Sequence, residues 1–171
     1  QQGCDVLVVF LLEKGVSADL STNDGCTPLS IACQNGHQNI ARYLLKKGAS
    51  TDLANLKGEL PLHKACEYGS EAAVLLLLDM CAAVDAVTNS GATPLWLACL
   101  SNHESVARLL LARGALPGRM QAYPTPPLLD KLLLEFESRS NAEEDLLAQL
   151  AEEEAAVAAA SASGICKEEI S

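Results

Sequence analysis

Gly25, Gly58 and Gly91 stand 33 residues apart, and each opens a similar segment. The three are Asp24-Gly25-Cys26-Thr27-Pro28-Leu29, Lys57-Gly58-Glu59-Leu60-Pro61-Leu62 and Ser90-Gly91-Ala92-Thr93-Pro94-Leu95. A fixed period of this length signals a stacked-repeat protein. Such a chain is built sideways, neighbour on neighbour; it offers a long surface and needs no catalytic pocket. The period continues elsewhere. Gly36, Gly69 and Asn102 share one phase, and Gly15, Gly48, Cys81 and Gly114 share another. Leu11-Leu12, Leu44-Leu45, Leu77-Leu78 and Leu110-Leu111 form pairs in register.

Each repeat reads as turn, helix, turn, helix, loop. In the first, Thr27 suits an N-cap and Pro28 the first helical position. Leu29, Ile31, Ala32 and Cys33 follow, and Gly36 ends the short helix in a left-handed cap. A second helix is expected over about His37 to Lys47, with Ile40, Ala41, Leu44 and Leu45 on its inner face. Lys46 and Lys47 fall in its last turn, where the macrodipole favours cations. Gly48 closes it, and the polar stretch from Ala49 to Lys57 is expected to form a β-hairpin finger.

These residues resemble the ankyrin repeat family. The pattern Gly-x-Thr-Pro-Leu-His-x-Ala is matched by Gly25 to Ala32, less fully by Gly58 to Ala65, and again by Gly91 to Ala98. Leu-Leu-x-x-Gly-Ala appears at Leu44 to Ala49 and Leu110 to Ala115. The resemblance covers roughly residues 3–116 and implies an all-α ankyrin-repeat solenoid. Three departures carry expectations. Ser30 and Trp96 replace the motif histidine, leaving its hydrogen bond to His63 alone. Leu60 replaces the capping threonine, a loss of about 1 kcal/mol. Cys81 replaces a glycine and is expected to distort its turn.

The ends break the pattern. Residues 1–24 read as the C-terminal part of a truncated repeat, since Asp5 to Leu12 matches a second helix. A half repeat lacks a first helix of its own, so its apolar side is exposed unless something covers it. The start in mid-repeat, without an initiator Met, leads us to expect a piece of a longer chain. Full repeats follow at 25–57, 58–90 and 91–123. Residues 124–137 read as a degenerate capping repeat, with a helix from about Pro127 to Glu137. Residues 138–171 read as an acidic Ala/Glu-rich helix, opened by a capping box at Asn141 and Glu144, then a flexible tail from Ser161.

Charge follows the same division. Residues 1–129 hold 9 Lys/Arg against 11 Asp/Glu, a net −2, and residues 130–171 hold 3 against 11, a net −8. An acidic tail disfavours nucleic acid and anionic membranes. Cys33, Cys66 and Cys99 share one repeat phase and no Cys-x-x-Cys pair exists, so buried reduced thiols are expected rather than zinc or disulfides. That points inside the cell, to cytoplasm or nucleus. His37, His63 and His103 are explained by repeat position, and no nucleophile–base pair or phosphate loop is legible. Asp19, Asp24, Asp52 and Asp85 read as solvated turn formers. We expect no enzyme activity, cofactor or metal.

What remains is recognition by surface. The resemblance implies that a protein partner is gripped by hairpin tips and the concave face of the first helices. Mapped through the motif, the tip positions are Asn23, Asp24 and Cys26; Leu56, Lys57 and Glu59; and Asn89, Ser90 and Ala92. The helix positions are Gln34 and Asn35, Glu67 and Tyr68, and Leu100 and Ser101. Leu56, Tyr68, Trp96 and Leu100 stand out as large apolar side chains of the kind that anchor interfaces, with core filling an equal alternative for Trp96. The expected function is a non-enzymatic adaptor. The alternative is a regulatory array within a larger enzyme, such as a kinase or ubiquitin ligase.

Overall fold

The computed structural model describes residues 2–117 and 124–135. Among the described residues up to 117, the helices come in the order α1 (Gln2–Glu13), α2 (Pro28–Gln34), α3 (Gln38–Lys46), α4 (Pro61–Glu67), α5 (Glu71–Asp79), α6 (Pro94–Leu100) and α7 (Glu104–Ala112). Residues 127–135 are also helical. The chain divides into two compact units, residues 1–130 and 131–171. Of the second, only 131–135 are described, with the Lys131 ammonium 4.0 Å from Glu135 Oε1. The expected helix over 142–160 and the tail beyond it lie outside the described residues.

In the first unit, α2, α4 and α6 are first helices and α3, α5 and α7 their second helices. Each first helix begins with proline at its first position, where no N–H partner is needed. Thr27 Oγ1 accepts the Ser30 N–H at 3.2 Å, and Thr93 Oγ1 accepts that of Trp96 at 3.2 Å. Leu60 has no such oxygen, and α4 starts without a side-chain cap at this site. His63 compensates in part: its Nδ1 accepts the Leu60 N–H at 3.1 Å.

The helices stop in one way. After α3, the Ala49 N–H reaches the Leu44 carbonyl and the Gly48 N–H reaches that of Leu45. This is the double bond of a Schellman ending, and it needs a left-handed residue between helix and loop. After α5 the same two bonds run from Ala82 to Leu77 and from Cys81 to Leu78. Cys81 takes φ +59° to make them. The expected distortion is absent: the turn keeps its geometry, and the strain is carried by the cysteine backbone.

The core is a row of leucines. Leu29, Leu44, Leu62, Leu77, Leu95 and Leu110 are fully buried between the first and second helices of their repeats. Ala32, Ala65 and Ala98, with Cys33, Cys66 and Cys99, are buried along the seam between neighbouring first helices. Small side chains there let α2, α4 and α6 lie close, and they pack on one another more extensively than the second helices do. Burial pushes the thiols up, Cys33 to about 12 and Cys99 to about 11, with Cys66 raised as well. Cys26, Cys33, Cys66, Cys81 and Cys99 are free thiols. Leu128 and Leu129, at the start of the last helical stretch, are also buried.

Two aspartates do more than face water. Asp19 Oδ1 accepts the Ser50 N–H at 2.9 Å, and Asp85 Oδ1 accepts the Leu116 N–H at 2.8 Å. Each latches one loop to the next, 31 residues on. Their reading as solvated turn formers is therefore incomplete.

Candidate protein-interaction surface

The tips between repeats are turns closed by side chains. In the first, the Thr22 N–H donates to the Cys26 carbonyl at 3.0 Å, but the Cys26 N–H goes to Thr22 Oγ1 at 3.2 Å. The Thr22 carbonyl takes the Gly25 N–H instead, at 2.9 Å. Asn55 and Thr88 repeat the arrangement: Asn55 Oδ1 accepts the Glu59 N–H at 2.9 Å and Thr88 Oγ1 the Ala92 N–H at 3.0 Å. A side-chain oxygen thus occupies the place of the second backbone bond a ladder needs. No strand occurs among the described residues, and the expected β-hairpin fingers are compact turns.

Successive tips are stitched together. The Leu56 N–H donates to the Asp24 carbonyl at 3.0 Å, and the Asn89 N–H to the Lys57 carbonyl at 3.0 Å. Asn89 Nδ2 also donates to the Leu56 carbonyl at 3.0 Å. This approach requires Gly58: a β-carbon there would sit 2.8 Å from the Asn89 nitrogen, and its φ is +76°.

The second tip is braced from behind as well. Asn55 Oδ1 accepts the Lys57 N–H, while Asn55 Nδ2 donates to Glu59 Oε2 at 2.7 Å. Glu59 Oε2 lies 2.9 Å from Lys64 Nζ, which also reaches Glu67 Oε2 at 2.9 Å. Burial opposes charge on Glu59. The hydrogen bonds from Asn55 and Lys64 outweigh it and hold the carboxyl below its usual range. Leu56 projects from this braced turn and is 74 % exposed. A shallow groove beside it, about 370 Å³, runs between the second and third tips, with Lys57, Asn89, Ser90 and Leu97 among its walls.

The first helices supply a second strip. Tyr68, at the end of α4, is 51 % exposed, and Leu100, at the end of α6, is 64 % exposed. Asn35 and Ser101 hold the position equivalent to Tyr68 and are exposed. Asn35 Nδ2 turns back on the Ile31 carbonyl at 3.0 Å. Gln34 is half-buried. At the first tip Asn23 and Asp24 are exposed, and Cys26 is half-buried.

Four sequence candidates are placed differently. Trp96 is 3 % exposed and lies in the core, like Ser30 and His63 at the same repeat position. Ala92 is buried. Glu59 and Glu67 are committed to Lys64 rather than free for a partner. Asn55, Thr88, Lys64 and Leu97 were not singled out from sequence. A polar residue recurring at 22, 55 and 88 was the available signal for the first two. Among the described residues, no three His, Cys, Asp or Glu side chains converge as metal ligands would. No described helix is long and apolar enough to cross a membrane.

Three helix–turn–helix units in 33-residue register, stacked through their first helices and carrying stitched tips, define a helical repeat protein. A family profile for ankyrin repeats, in three copies, matches residues 1–55 and 49–121, and the chain belongs to the ankyrin-repeat family. A search of curated proteins returned no significant relative. Ankyrin repeats are protein–protein interaction modules, generally without catalysis, and this array is one.

Proposed function

We propose that the array is a rigid adaptor that grips its partner with the second and third tips and the exposed ends of α4 and α6. The observation that carries this reading is Leu56. A leucine mostly in water does nothing for the fold, yet its turn is braced by Asn55, Glu59 and Lys64 and stitched to both neighbouring tips. A side chain held this way loses little freedom on binding, so its burial goes into affinity. Tyr68 and Leu100 add the large apolar surface typical of contact anchors. The free thiols of Cys33, Cys66 and Cys99, buried in the seam, fit a partner met where thiols stay reduced, inside the cell.

The test is photo-crosslinking from position 56, with pull-downs by wild type, Leu56→Ala, Tyr68→Ala and Leu100→Ala. Arg42→Ala on α3 serves as the control from a second helix. A partner that crosslinks at 56 should be recovered at least about tenfold less by the Leu56 and Tyr68 variants, and equally by the control. Equal recovery by all of them rejects this surface.

A further inference from the structure

The groove between the second and third tips leaves a single polar side chain uncommitted. Lys57, Glu59, Thr88, Asn89 and Ser90 all line it. Glu59 Oε2 takes both Asn55 Nδ2 and Lys64 Nζ. Thr88 Oγ1 accepts the Ala92 N–H at 3.0 Å and shares a hydrogen bond with Ser90 Oγ at 2.9 Å. Asn89 Nδ2 is held by the Leu56 carbonyl. Lys57 is exposed, and among the described residues its ammonium has no hydrogen bond or ion pair. Its repeat-mates are Asp24 and Ser90, so the 33-residue pattern does not call for a cation here. The remaining walls are apolar: Leu56 at the rim, half-buried Leu97 on α6, and Ala92. Leu97 stands where the repeat before has Lys64. The one negative charge in the lining, Glu59, is matched by Lys64, so Lys57 sets the sign that a partner meets.

We propose, resting on the adaptor reading, that this groove takes an apolar side chain of a protein partner with a carboxylate one or two residues away, which pairs with Lys57. Charge complementarity selects this occupant. An apolar side chain lodged against Leu56 and Leu97 brings its own chain neighbours over Lys57. A carboxylate among them gains an ion pair, whereas a lysine or arginine meets like charge. An extended segment fits better than the face of a folded domain. At about 370 Å³ the groove lies near the low end of the range for small-ligand pockets, roughly 300–1,000 Å³, with room for one or two side chains. The bonds from Asn89 to Lys57 and Leu56 fix the spacing of its two rims before anything binds, so little ordering is left to be done on association.

A phage-displayed library of random peptides is the probe, panned on the wild-type chain and cleared on Leu56→Ala. Enriched peptides should place Asp or Glu one or two residues from a Leu, Ile, Val, Met or Phe. They should bind Lys57→Gln about threefold and Lys57→Glu about tenfold more weakly than wild type, with the loss shrinking at high salt. Panning on Lys57→Glu should return Lys or Arg at the same place. Lys57 enters its tip through its backbone, accepting from the Asn89 N–H and donating to Asn55 Oδ1, so both variants should keep the wild-type melting temperature. Peptides that need Leu56, yet show no acidic bias and bind Lys57→Glu as well as wild type, overturn the proposal and leave the adaptor reading standing. A library that yields no Leu56-dependent peptide overturns it too, and the adaptor reading keeps its own crosslinking test. So does self-association of the wild-type chain that Lys57→Glu abolishes, which assigns the groove to a second copy.

Discussion

His63 joins its own repeat to the next: its Nε2 lies 3.0 Å from the carbonyl oxygen of Ala86, in the loop before the third tip. With Nδ1 accepting the Leu60 N–H, the two contacts define a neutral ring protonated at Nε2. The ring is fully buried, and burial holds its pKa below the usual 6.5, against the carbonyls of Ala86 and Ala92, which favour the charged form.

That shift fixes the sign of a pH effect. Above pH 6.5 the ring is neutral in both folded and unfolded chains, and its contribution to stability is complete. As pH falls below 6.5 the unfolded chain takes up the proton first, and stability is lost until the folded ring also protonates. Thermal melts between pH 7.5 and about pH 5.5 should therefore show wild type losing stability faster than His63→Leu. Parallel curves would remove His63 as the cause. At pH 7.5 the variant should be weaker by about 2 kcal/mol, because the Leu60 N–H and Ala86 carbonyl lose their partner.

Leu60 is the one uncapped start among the three first helices. Leu60→Thr should raise stability by about 1 kcal/mol, and Thr27→Ala or Thr93→Ala should lower it by a similar amount. Urea unfolding with an unchanged slope would measure both. A Leu60→Thr variant no more stable than wild type would mean that the His63 backbone N–H gains nothing from a side-chain oxygen at position 60.

Cys81 bears a left-handed backbone that glycine bears at Gly15, Gly48 and Gly114. Cys81→Gly should stabilise by about 1 kcal/mol, the relief of a β-carbon clash less the extra freedom of glycine in the unfolded chain. Asn102, at φ +60°, ends α6 in the same way. Asparagine tolerates that region better, so Asn102→Gly should gain less. Melting temperatures of the two variants give the order directly.

Thiol reactivity should follow burial. At pH 8 a thiol raised to about 12, such as Cys33, is ionised to roughly one part in ten thousand. Alkylation followed by mass spectrometry should label exposed Cys81 quickly and leave Cys33, Cys66 and Cys99 unlabelled until the chain unfolds. Early labelling of Cys66 would show that the seam between first helices opens in the native state.

The period alone carried most of the fold. It placed the second helix of the first repeat within one residue of Gln38–Lys46, because glycine and leucine recur for local reasons: a left-handed cap and a buried row. The tips were less legible. Whether the Cys26 N–H bonds to the Thr22 backbone or to its side chain is a contest between two oxygens of one residue, and a strand pattern does not decide it. The bracing of Leu56 was out of reach for another reason. Asn89 and Asp24 lie 33 and 32 residues away from it, and their contacts exist only once repeats stack. Trp96 was ambiguous because an aromatic side chain suits a core and an interface equally, and only the burial of its repeat-mates Ser30 and His63 resolves the matter.

The amide stitching of the tips gives the row a sense of direction. Each junction points backward: Leu56 hangs on Asp24, and Asn89 hangs on Lys57. A hydrogen bond holds donor and acceptor alike, however, so damage at either outer tip should loosen the second, which is bonded to both. Grafted binding loops would be carried most safely at an outer tip, with the second kept as its anchor.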